Sequence, residues 1–163
     1  MVQRMTASHE PPAPPPISPY LTVDDARAAI DFYRRAFGAT VVAEQPTPDG
    51  KKLIHAALLV NGGLVMLSDD FPEQRGGVSR TPKAFGGTAV TLHLDLPDVD
   101  ATWKSAVEAG ASVEMPLADM FWGDRYGIVT DPFGHRWSLA TRKKAATQEE
   151  LDAGAKKHFP AAT

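Results

Sequence analysis

His55 and His93 are the side chains of this sequence best suited to chemistry. Each lies in a short run that alternates between two sides, His55 in Leu53–Val60 and His93 in Ala89–Leu96. An imidazole can ligate zinc, iron, nickel or manganese, or carry a proton near neutral pH. Two histidines fall short of the three protein ligands usual for a catalytic zinc. Beside them on their own strands, only Asp95, at a strand end, offers a carboxylate. A hydrogen-bonded histidine facing inward is therefore the simpler reading. A second cluster is Met120-Phe121-Trp122-Gly123-Asp124-Arg125-Tyr126-Gly127. It suits an aromatic and charged rim that holds a planar or anionic ligand by stacking and cation–π contact. The alternative is an interface or a bulged strand with surface ion pairs.

Other chemistries find no support. The glycine pairs 62–63, 76–77 and 86–87 lack the spacing and lysine of a phosphate-binding loop. No G-x-S-x-G nucleophile elbow occurs. The absence of cysteine excludes disulfides, thiol catalysis and cysteine-ligated metals. The net charge of −3 and a pI near 5.9 lack the basic stripe of a nucleic-acid binder. No apolar run approaches the roughly 18 residues of a membrane span, and no secretory signal opens the chain. A cytoplasmic protein without nucleic-acid or membrane partners is expected.

The elements that must position these residues occur twice. Val23-Asp24-Asp25 opens an amphipathic helix that ends at Gly38, and Leu96-Pro97-Asp98-Val99 opens another that ends at Gly110. Each is capped by an aspartate and stopped by a glycine, and each follows a strand and precedes three more. In the first helix Ala26, Ile30, Tyr33 and Phe37 form one apolar stripe. The order β-α-β-β-β thus spans residues 17–70 and recurs over 88–141. Residues 71–87 form a Gly- and Pro-rich linker or a mobile flap. Residues 1–16 read as a disordered Pro-rich tail, and 142–163 as a tail with a short helix near 148–157 behind a capping box.

Strand alternation then sorts the faces. Ile54, Ala56, Leu58, Val90, Leu92, Leu94, Trp137 and Leu139 are expected to face the helices. Ser18, Tyr20, His55, Ala57, Thr91, His93 and Ser138 fall on the opposite faces, which converge on a cup if the sheets curl. Ile17–Val23, Ser112–Met115 and Phe121–Thr130 are among the expected strands.

Tyr20-Leu21-Thr22-Val23-Asp24, Ile30-Asp31-Phe32-Tyr33 and Asp131-Pro132-Phe133-Gly134-His135-Arg136-Trp137 resemble the vicinal oxygen chelate superfamily. That group includes glyoxalase I, extradiol dioxygenases and the fosfomycin and bleomycin resistance proteins. Trp122–Gly127 and Asp131–Trp137 look most like its PhnB-like branch. The resemblance covers about residues 17–142. It implies an α+β fold with two βαβββ modules whose curled mixed sheets surround a cup, often completed by dimerisation. Metal-dependent members hold histidines and glutamates at four inward positions. Here those positions fall near Ser18, Ala57 (or Ala56), Thr91 and Ser138, none a good divalent-metal ligand.

The expected function is binding of a small molecule by a homodimer, without metal or other cofactor. Ser18, Tyr20, His55, Thr91, His93, Trp122, Arg125, Tyr126 and Ser138 are the candidate ligand contacts. The alternative is a lyase, isomerase or dioxygenase that uses a shifted metal site or histidine acid–base catalysis. A third possibility is a structural or regulatory dimer with no ligand.

Overall fold

The computed structural model describes residues 17–160. The expected disordered tail over 1–16 lies outside the described residues. Strands β1 (Tyr20–Val23), β2 (Thr40–Pro46), β3 (Leu53–Val60) and β4 (Gly63–Asp69) form one sheet in the order β1-β4-β3-β2. Strands β5 (Thr91–Asp95), β6 (Ser112–Asp119), β7 (Asp124–Thr130) and β8 (Arg136–Arg142) form a second, in the order β5-β8-β7-β6. In each sheet the first strand runs parallel to the last, and the other pairs are antiparallel. The protein is α+β, with two mixed sheets that are not closed into a barrel.

Helix α1 (Ala26–Phe37) starts where the Asp25 side chain accepts from the Ala28 N–H, and stops at Gly38, whose φ of 65° is left-handed. The expected stripe is buried and widened by Ala29, Phe32 and Ala36. Helix α3 (Val99–Ala109) repeats the pattern with Asp98 and Gly110. The last strand of each module ties down its helix. Asp69 accepts from the Ala26 N–H at 2.9 Å, and Thr141 Oγ1 accepts from the Val99 N–H at 2.8 Å.

One core serves both sheets. Leu21, Val23, Ala56, Leu58 and Leu67 from the first sheet and Leu94, Val129, Trp137 and Leu139 from the second converge on it. Helices α1 and α3 pack directly against one another, which draws the helix-covered faces together and turns the opposite faces apart. At the centre is Asp131, 3% exposed. Its Oδ2 accepts from Tyr33 Oη at 2.7 Å and Trp137 Nε1 at 2.9 Å; its Oδ1 accepts from the backbone N–H groups of Phe133 and His135. The rings of Tyr33, Phe37 and Trp137 close over this point.

The structure shifts several expected elements. Strand β1 begins at Tyr20 and leaves Ile17 exposed; β5 begins at Thr91 and leaves Val90 exposed. Strand β6 continues through Pro116 to Asp119. Phe121 and Trp122 lie in the turn before β7, where Met120 and Asp124 pair across it. Ile54 does not face the helices. A bulge sets His55 against Gln45 but Leu53 against Pro46, so Leu53 enters the core and Ile54 is 47% exposed. Residues 71–87 contain a 3-10 turn (Pro72–Arg75) and a short helix, α2 (Pro82–Phe85). They are tied to the body by Arg75–Asp70 at 3.2 Å and Lys83–Asp24 at 2.7 Å.

Burial pushes the Tyr33 hydroxyl well above the ordinary tyrosine range, and the Asp131 charge adds to the shift. A folded-state pKa raised above the unfolded value stabilises below about pH 10 and loses that stability as pH rises further. Urea unfolding followed from pH 7 to 11 is therefore expected to show an alkaline loss of stability. Tyr33→Phe should weaken that slope and cost about 1.5–3 kcal/mol at pH 7; an unchanged slope would show that Tyr33 does not cause it.

Candidate functional site

The faces away from the helices carry two polar groups, one on each sheet. On the first, Tyr20 and His55 meet across the strands. The Tyr20 hydroxyl lies 3.0 Å from His55 Nδ1, and the ring centroids are 5.6 Å apart. The bulge at Ile54 directly precedes His55 and aims it at Tyr20, a common use of bulges. Tyr20 is 50% exposed. Ser18 is nearby in sequence, and its Oγ is shielded from solvent without a hydrogen-bond partner.

On the second sheet, register places His93 beside Ser138 and Ile128, and Asp95 beside Ala140 and Tyr126. His93 Nδ1 lies 2.8 Å from Ser138 Oγ, and its Nε2 lies 3.3 Å from Asp95 Oδ1. A carboxylate only accepts. The arrangement therefore favours a proton on Nε2 and leaves Nδ1 to accept from the Ser138 hydroxyl. The aromatic groups continue from the same ring. His93 stacks on Tyr126 at 6.3 Å and 24°, and Trp122 stands edge-on to Tyr126 at 5.6 Å and 75°. Three rings thus run in sequence from an imidazole with hydrogen-bonding partners to an indole at the turn.

Two expected site residues are engaged elsewhere. Arg125 lies on the helix side of β7. Its Nε donates to both Asp100 carboxylate oxygens at 2.8–2.9 Å, and Nη1 reaches Asp119 at 3.3 Å. It joins β7 to the first turn of α3 and does not belong to the open-face group. Thr91 Oγ1 accepts from Arg136 Nη1 at 2.8 Å, while Arg136 Nε lies 2.8–2.9 Å from the two Glu114 oxygens. The hydrogen bond from Arg136 is the main cause that lowers the Glu114 carboxyl below its ordinary range. Asp95 at the end of β5 and the bulge at Ile54 are parts of the arrangement outside the expected contacts; the bulge has no clear sequence signal. Among the described residues, no hydrogen bond or ring contact joins the Tyr20–His55 pair to the His93 group.

A family model described as the Glyoxalase/Bleomycin resistance protein/Dioxygenase superfamily matches residues 15–139. The chain belongs to that superfamily. An uncharacterised protein of Mycobacterium bovis is 54% identical over 139 residues, covering 85% of this chain and 91% of its own length. The crystal structure of TioX from Micromonospora matches with a TM-score of 0.60 and 30% identity, over 77% of this chain and 97% of TioX. A PhnB protein from Bacillus cereus shares the fold at a TM-score of 0.55 and 18% identity, over 78% of this chain and 99% of its own.

Membership in this glyoxalase-type superfamily makes the metal question concrete. Ser18, Ala57, Thr91 and Ser138 at the four inward positions supply three hydroxyls and a methyl group. His55 is engaged through Nδ1 and His93 through both ring nitrogens. Among the described residues, no three His, Cys, Asp or Glu side chains gather in one place. This donor set does not fit a divalent metal. Among the described residues, no helix is long and apolar enough to cross a membrane.

The bonding pattern also fixes an observable. Long-range ¹H–¹⁵N NMR is expected to show neutral His93 as the Nε2–H tautomer. Asp95→Ala should mix the tautomers; an Nδ1–H form in the parent protein would overturn the assignment.

Proposed function

We propose that this protein binds a planar organic molecule without a divalent metal, in a cup assembled from two copies of the chain. The run of rings from Trp122 through Tyr126 to His93 carries the reading. It offers aromatic faces and edges to a flat ligand, with the imidazole, Ser138 and Thr91 as polar groups at one end. Such mixtures of apolar wall and few polar groups characterise small-molecule sites. Because Arg125 is paired on the far side, stacking and hydrogen bonding dominate over anion capture. The open face that bears Tyr20, His55 and the unpartnered Ser18 of one copy would close over the ring run of the other. The acidic balance and the lack of cysteine suit a cytoplasmic binder of small molecules rather than of nucleic acid.

Fluorescence titration with 2-naphthol and acridine tests the binding mode. Trp122→Ala or Tyr126→Ala is expected to weaken binding, each by roughly 0.5–1.5 kcal/mol, or about 2- to 12-fold. EDTA should leave affinity unchanged, and light scattering should report a dimer. Absence of binding to any planar probe, or affinity restored only by divalent metal, would overturn the reading.

The Asp95–His93–Ser138 chain favours a second reading, acid–base catalysis by His93. A panel of 2-oxoaldehyde–thiol adducts, catechols and phosphonates, assayed with and without metals, tests it. Turnover lost in His93→Gln would support catalysis; tight binding without turnover would sink it.

A further inference from the structure

The C-terminal segment offers no buried side chain from its helix, yet it meets the body at two close-packed points. Helix α4 (Gln148–His158) is locally well built. Thr147 and Glu150 form a reciprocal capping box, Lys144 pairs with Glu150 at 2.7 Å, and Gln148 bonds Asp152 at 2.9 Å. None of its residues is buried. Its seat on the body is Phe121. A Cβ at Gly154 would overlap the Phe121 ring and its Cβ, so the ring rests directly on the helix backbone. One turn later His158 stacks on the same ring, with centroids 5.2 Å apart at 22°.

The second point is Gly123, two residues along the same turn. Its carbonyl accepts from the backbone N–H groups of Lys143 and Lys144 at 3.0 and 3.1 Å. Its φ is 97°, a left-handed value that disfavours side chains. A Cβ there would also overlap the Lys144 carbonyl. Trp122 stands between these two pinned residues. It meets Phe121 edge-on at 5.0 Å and Tyr126 edge-on at 5.6 Å.

We infer that residues 143–158 clamp the turn between β6 and β7 and thereby set the orientation of Trp122, with Gly154 and Phe121 as positioning residues for the ring run. Gly154 is present because the ring needs its missing side chain. Its place in the helix interior carries the usual cost of glycine there. The inference rests on the proposed binding role only for its consequence for ligand affinity; the clamp itself concerns the setting of Trp122.

Gly154→Ala separates the clamp from ordinary helix stability. Alanine is the better helix former, so without the clamp the variant should match or exceed the parent in thermal stability and keep its Trp122 signal. With the clamp, acrylamide quenching of Trp122 should rise at least 2-fold, isolated by subtracting the signal of Trp122→Phe. Phe121→Ala should give the same change, because it removes the seat from the other side. Affinity for 2-naphthol should fall about 3- to 10-fold in both. Unchanged quenching in both variants overturns the clamp. If quenching rises but the parent binds no planar probe, the clamp stands and the binding role fails.

Discussion

The Asp131 carboxylate is the interaction on which the architecture depends. It sits in the turn before β8, yet one of its partners is Tyr33, in the middle of α1. A buried carboxylate is costly unless its acceptor sites are filled. Here both oxygens are filled, one by two backbone N–H groups of its own turn and one by two aromatic donors. The turn is thereby rigid before it meets the helix, and the donors come from opposite modules. Tyr33 and Trp137 can reach Oδ2 only when α1 lies against the helix side of β8. That single charge fixes how the two βαβββ units dock.

This docking has a consequence for the rest of the molecule. With α1 held against β8 and α3 beside it, both sheets commit their apolar faces to one core. The remaining faces carry Tyr20 and His55 on one side and His93, Tyr126 and Trp122 on the other. The first strand of each sheet is also an outer strand, so neither sheet is closed within the chain. A second copy is the geometrically simple cover for such faces, because it brings each type of face to the other through a two-fold axis.

Much of this was legible in the sequence because it follows from period and punctuation. The aspartate caps, glycine stops and apolar stripe located α1 and α3, and alternation put Tyr20, His55, His93 and Ser138 on faces away from the helices. What stayed hidden is two-dimensional. The bulge at Ile54 reverses Leu53 and Ile54, since one extra residue shifts every side chain beyond it to the other face. Phe121 and Trp122 read as strand because their neighbours are aromatic, but Gly123 turns the backbone there. Arg125 was correctly opposite Tyr126 by parity; its place among the site candidates gave way because Asp100 lies across from it on α3. The use of Gly154 had no local signal, because a helix interior glycine reveals its purpose only when the ring that fills its gap is known.

The histidine on the second sheet shows how the open faces remain chemically coherent without a metal fit. Ser138 is nearly buried, and a buried hydroxyl without a partner would be unfavourable. His93 supplies that partner from the adjacent strand, and Asp95 supplies the next one. The imidazole thus acts as a spacer between a shielded hydroxyl and an exposed carboxylate, in a position where the superfamily places a ligand. On the first sheet the corresponding compensation is incomplete. Tyr20 satisfies His55, but the Ser18 hydroxyl is left shielded and unpaired. An unmet donor beside a half-exposed tyrosine is an energetic deficit that a bound molecule or a second copy can remove. The difference between the two faces therefore has a physical direction: the second sheet offers a completed surface of rings, and the first offers the hydroxyl that still needs a partner.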